Sequence, residues 1–255
     1  MDINQEFILR GKGSNVSCDF NEPLIIPTDV YEARLGLKNF TTYNNIPNVE
    51  INVNNQVKIK VPAGKKYQIF ALETGAYELS IIYNQLREWI ELKYPKLKNV
   101  EENFKLLGNE ATSKAEFLFK DGYGIDFDVD HSICGLLGFT KRDKFEGSGR
   151  YIASNIVNIT TVSQLIFNCN ITDSNYINGQ EMPFLYNCGI NVPAGYRLSR
   201  ELVDISYKKL TTTQISHIRV WIVDQDGAPV NLRKDDFVVT LSLHLKRIVA
   251  QVSIN

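Results

Sequence analysis

Over most of the chain, apolar and polar residues alternate one by one. VYEARLGLKNF (30–40), QVKIKV (56–61), KYQIFAL (66–72), KAEFLF (114–119) and YGIDFDV (123–129) all follow this rhythm. So do VSQLIFNCNI (162–171), PFLYNCGI (183–190), IRVWIV (218–223) and FVVTLSLHL (237–245). A period of two puts every second side chain on one face of a β-strand. Turn formers separate the runs: Asn54-Asn55, Ala63-Gly64, Asp121-Gly122, Asn178-Gly179, Ala194-Gly195 and Asp226-Gly227. Many short strands divided by turns predict an all-β, antiparallel sandwich or barrel.

One segment changes period. In ETGAYELSIIYNQLREWIELKYP, the residues Leu79, Ile82, Tyr83, Leu86, Trp89 and Ile90 recur at steps of three and four. That spacing predicts a single amphipathic helix over about residues 77–93, with Thr74 as N-cap and Pro95 as stop. Its polar side holds Glu78, Gln85, Arg87, Glu88, Glu91 and Lys93. The apolar stripe is expected to close an open end or face of the sandwich. Two polar stretches, about 96–112 and 140–155, read as surface loops. Strand patterning resumes unchanged on either side of both. The expected organisation is therefore an N-terminal arm (1–14), one β domain (15–247) with those two loop insertions, and a tail (248–255).

Composition narrows the function without choosing it. The 255 residues carry a net charge of −1, which gives no reason to expect direct binding to nucleic acid or to an anionic membrane. No apolar run approaches the roughly 18 residues needed to span a bilayer, and MDINQEFILRGKG lacks the apolar core of a signal peptide. Cys18, Cys134, Cys169 and Cys188 show no CxxC spacing, so four buried thiols are expected.

Catalytic chemistry finds little support. His131, His217 and His244 lie far apart, with no HxH or HExxH spacing, and no nucleophile elbow or phosphate-binding loop is present. The expectation is a protein that is not an enzyme and needs no cofactor. Asp126, Asp128 and Asp130 in DFDVDH would share one face if that run were a strand, which makes them weak candidates for a Ca²⁺ site. A solvated strand face is the simpler alternative. VDQDG (223–227) looks like the start of an EF-hand loop but has no glutamate at the twelfth position, and Asp-Gly there signals a tight turn. HIRVWIVDQDGAPVNLRKDDFVVTLSLHLKR (217–247) accordingly reads as a hairpin or near-hairpin. In its last strand Phe237, Val239, Leu241, Leu243 and Leu245 face the core. On the other face Thr240, Ser242 and His244 are uncharged and β-prone. They are candidate contacts with a neighbouring subunit or a covering loop. A charge at Thr240 is expected to weaken an oligomer while leaving the monomer folded.

Several ordered phrases add a resemblance. They are NVSCDFNEPLIIPTDVYEARLGLKNFTTYNNIPNV (15–49), TGAYELSIIYNQL (74–86), ICGLLGF (133–139), FNCNITDSNYINGQ (167–180), VPAGYRL (192–198) and IRVWIVDQDGAPVNLRKDDFVVTLSLHLK (218–246). In this order they resemble the single jelly-roll minor capsid, or penton, proteins of Polinton/Maverick elements and adintovirus-like viruses. The resemblance runs from about residue 15 to 247, and VDQDG with the alternating strand after it is its most specific part. The charged stretch 96–112 and LVDISYKKLTTT (202–213) depart from it. The resemblance implies a jelly roll with one inserted helix and a structural role in a virion. It further implies a homopentamer at the vertices of an icosahedral shell, beside trimers of a double jelly-roll major capsid protein, made inside the host cell in cytoplasm or nucleus. A lectin-like sandwich that binds a glycan or receptor through aromatics such as Tyr123, Tyr151 or Tyr176 is the other reading.

Overall fold

The computed structural model describes residues 3–64, 66–177 and 179–248. The chain begins with three long strands, β1 (Ile3–Lys12), β2 (Asn15–Ile25) and β3 (Val30–Tyr43). A run of shorter elements follows: β4 (Gln56–Lys60), β5 (Gln68–Ala71), α1 (Leu79–Lys93), α2 (Val100–Asn103), β6 (Phe104–Asn109), β7 (Lys114–Phe119), β8 (Gly124–Asp126), α3 (Cys134–Leu137), β9 (Lys144–Glu146) and β10 (Gly149–Ile152). Then come β11 (Gln164–Cys169), β12 (Asn175–Ile177), β13 (Gln180–Met182), β14 (Phe184–Gly189), β15 (Arg197–Glu201), β16 (Lys208–Lys209), β17 (Gln214–Val223) and β18 (Asp236–Arg247). These elements fall into two units, one built from Met1–Ile46 with Val162–Asn255, the other from Pro47–Thr161.

The first unit holds two sheets. In one the order is β1-β18-β3-β15, with β16 continuing along β3; in the other it is β14-β11-β17-β2. Every pairing in both is antiparallel. Followed along the chain, the strands pass between the sheets as two Greek keys, which is a jelly roll. Its core is the product of the alternation. Phe237, Val239, Leu241, Leu243 and Leu245 of β18 and Leu35, Leu37 and Phe40 of β3 meet Leu165, Phe167, Ile218, Val220 and Ile222 from the other sheet. The rings of Phe40 and Phe167 sit 4.6 Å apart, centre to centre. Burying each such side chain is worth about 1.5–3 kcal/mol.

The second unit carries sheets β10-β7-β6 and β5-β4-β8-β9. Helix α1 buries Ile82, Leu86 and Ile90 within this unit's own core, so the stripe read from the sequence is a core face. Thr74 is not its cap. The helix starts after Glu78 without a side-chain cap, while the Thr74 hydroxyl accepts the Ile51 N–H. Lys93 ends it ahead of Pro95.

Other expectations change as well. The arm at 1–14 is in large part β1, paired with β18 from Ile3↔Leu245 to Lys12↔Asp236. The charged stretch 96–112 contains α2 and β6, and 140–155 contains β9 and β10. A single domain with two loops thus gives way to a jelly roll interrupted between β3 and β11. Both units use the same period, so no shift of pattern marks the boundary. Of the tail, only Ile248 belongs to the described residues; Asn178 of the expected Asn178-Gly179 turn lies outside them too. Cys169 and Cys188 are buried, but Cys18 and Cys134 are only half-buried.

The largest correction concerns 217–247. β17 and β18 lie in opposite sheets and form no hairpin. Asp-Gly does make a tight turn, with Gly227 at φ +82° and the Asp224 carboxylate accepting the N–H groups of Asp226 and Ala228. That turn, however, folds Ala228–Val230 back onto the end of β17 itself, through Asp224 N–H to Ala228 O at 2.8 Å. The chain then buries Val230 and Leu232 as it crosses to the other sheet.

Candidate assembly surface

The outer face of β18 carries Thr240, Ser242 and His244. β1 and β3 flank it. Thr240 lies between Ile8 and Asn39, Ser242 between Glu6 and Gly36, and His244 between Asn4 and Arg34. Opposite Thr240 and Leu241 the β3 register slips by one residue, which leaves Lys38 as a bulge. Its ammonium reaches 2.6 Å to Glu6 on β1, spanning β18.

This face is not open. The chain after β15 folds over it, starting with the Leu202 N–H on the Lys38 carbonyl at 2.8 Å. Gly36 makes room, because a β-carbon there would lie 2.3 Å from Ile205 Cγ2. The Tyr207 hydroxyl then meets Ser242 Oγ at 3.1 Å, and its ring lies 5.5 Å from the imidazole of His244. His244 Nδ1 also meets Asn4 Oδ1 at 2.7 Å. Thr240 is 6% exposed and Ser242 5%. Of the two roles expected for these residues, the covering segment is present in the chain itself. The expectation for Thr240→Asp changes with it, since a carboxylate at this depth disturbs the monomer.

Sequence reasoning did not find Ile205 and Tyr207, which lie where the resemblance lapses. One signal was available: Gly36 interrupts an otherwise bulky strand, the mark of a close approach by another segment.

The three aspartates do not gather. β8 ends at Asp126, which is buried and faces its own surroundings, while Asp128 and Asp130 are exposed. Burial pushes the Asp126 carboxyl up. The Asp128 N–H and Lys144, 3.1 Å away, outweigh that and hold it below the usual carboxylate range. Among the described residues, no group of three or more His, Cys, Asp or Glu side chains is placed to hold a metal ion. His131 sits in a turn at φ +55°, and His217 pairs with Asp19 at 2.7 Å on β2. Burial pushes the Cys169 and Cys188 thiols up to about 11. The aromatics suggested for a glycan are dispersed in role. Tyr123 is buried, Tyr151 donates to the Glu146 carbonyl and stacks on Phe145, and only Tyr176 stands exposed. No helix among the described residues is long and apolar enough to cross a membrane.

No protein-family model matches the sequence. No curated protein matches it either. Among solved structures the chain is similar to the crystal structure of mavirus penton protein, with 13% identity and a TM-score of 0.49 over 96% of this chain and 100% of that one.

Proposed function

We propose that the chain is a structural capsid protein, the vertex or penton subunit of an icosahedral virion. The observation that carries this reading is the jelly-roll order of the first unit, β1-β18-β3-β15 against β14-β11-β17-β2. That architecture serves capsid and lectin domains alike. The ordered phrases from residue 15 to 247 favour the capsid role, since they resemble penton proteins of Polinton/Maverick and adintovirus-like elements. In this reading five copies meet by heterologous contacts that close into a ring, and the ring sits beside a major capsid protein. The chemistry asked of the chain is then association, with the virion as its location.

Mass photometry and negative-stain microscopy of the purified chain test the proposal. The expected result is a particle of five times the 29.0 kDa chain mass with fivefold class averages. A monomer at every concentration that binds a glycan array through the face around Tyr176 would replace it with the lectin reading.

A further inference from the structure

A cleft of about 880 Å³ opens in the jelly-roll unit beside the first residues of β3. The strand order explains it. β18 covers one edge of β3 from Val30 to Thr41, and the other edge is covered by β15 and then by β16, at Leu35 and Arg34. After the Leu210 N–H bonds to the Ala33 carbonyl, the chain departs: Thr211 N–H goes to Ile171 O, and Gln214 pairs with Ile25 in the opposite sheet. Among the described residues, Val30, Tyr31 and Glu32 are therefore left along the cleft wall with no strand beside them on that edge. Tyr31 is also the bulged residue in the ladder to β18. Ile26 and Leu210 give the cleft an apolar floor continuous with the core. Asp173 and Asn175 line it, and one buried polar atom of each, Asp173 Oδ1 and Asn175 Nδ2, has no hydrogen-bond partner among the described residues. One is an acceptor and the other a donor, as an extended backbone would require.

We propose that this cleft receives the C-terminal segment of a second copy, VAQVSIN (249–255), as an added strand on the open edge of β3. The proposal rests on the assembly reading above. In the segment Ala250, Val252 and Ile254 alternate with Gln251 and Ser253. One face is therefore fit for the floor and the other for Asp173 and Asn175. The described chain ends at Ile248, whose N–H bonds to Asp29 O at the opposite edge of β3 from the cleft. A copy's own segment would have to round the 26–29 turn first, because Ile248 is tied to Asp29. A neighbour's segment faces no such detour, and passing it from copy to copy closes a ring.

The test uses the chain ended after Ile248 and a fluorescent VAQVSIN peptide. Anisotropy should show saturable binding that a scrambled peptide lacks. The double variant Asp173→Ala, Asn175→Ala should weaken it about tenfold or more. It should not lower the melting temperature, because neither atom has a partner to lose. Sedimentation should show that the shortened chain no longer forms the full chain's oligomer. The proposal is overturned if the peptide does not bind, if the double variant binds it equally well, or if the shortened chain assembles as before. A full-length monomer that excludes the peptide also overturns it, since the segment then fills its own cleft. A full-length monomer that still takes up the peptide removes the vertex reading but upholds the cleft as a strand-binding site.

Discussion

In the jelly-roll unit β3 runs for 14 residues and β18 for 12, whereas no described strand of the inserted unit exceeds six. The two cores differ in the same sense. Rows of Leu, Ile and Val from long ladders fill the first, with Phe40, Phe167 and Phe237 meeting between the sheets. The second is held by touching rings: Phe117 lies near Phe104, Phe119, Phe127 and Phe139, and the chain of contacts continues through Phe145 to Tyr151. Short strands supply few cross-strand pairs, and aromatic contacts make up the difference at about 0.5–1.5 kcal/mol per pair beyond burial. Stability in one unit is spread along ladders. In the other it is gathered at one point.

Truncation should expose that contrast most strongly. Phe117→Ala removes the hub of the ring cluster and should cost roughly 3–5 kcal/mol, enough to open the inserted unit alone. Hydrogen exchange read by mass spectrometry should then show loss of protection in β4, β6 and β7 while β18 keeps its own. Leu243→Ala, fully buried in β18, should cost about 2–5 kcal/mol and give the reverse map. Loss of protection across both units in either variant would mean that the two unfold as one.

A smaller effect should come from Gly36→Ala, which drives a methyl into Ile205. Forcing the covering segment aside should cost about 1–3 kcal/mol, and proteolysis should begin between Leu202 and Tyr207 in the variant. A parent and variant cut at the same rate would show that the segment does not rest on β3.

The finest distinction is in pH. Glu116 is buried in β7, where Asn109 and a two-pronged contact from Arg150 hold its carboxyl below the ordinary 4.5. Its stabilising contribution is fully present above pH 4.5 and disappears as acid carries the pH through the lower folded value. Thermal melts from pH 6 to about 3 should show this acid loss in the parent and a shallower one in Glu116→Gln. Equal slopes would place the acid sensitivity elsewhere.

The same contrast explains what the sequence could disclose. Alternation marks β3, β4, β5, β7, β8, β11, β14, β17 and β18, because each lies in a run with apolar side chains at about every second position. The helix at 79–93 stood out because its period is unique in the chain. What alternation lacks is any statement of which strand lies beside which, so β17 and β18 read as a hairpin although they belong to opposite sheets. The three-residue β9 escapes the alternation because it lies in a polar run, TKRDKFEGSGR, with too few apolar residues to show a period. The outer face of β18 was half legible: Thr240 and Ser242 looked too uncharged for open solvent, and they are covered. Tyr207, which meets Ser242, lies in a segment where the single sign is a glycine in another strand.

The position of β18 also sets a timetable. It is the last strand among the described residues, yet it stands in the middle of its sheet, between β1 and β3. During synthesis the first and third strands must wait for the last before either can form that ladder. The inserted unit asks for no such delay, since all its partners lie within 47–161. On a ribosome that releases the N-terminal end first, all partners of the interruption emerge before β18 does, and until then β1 lacks the strand it pairs with.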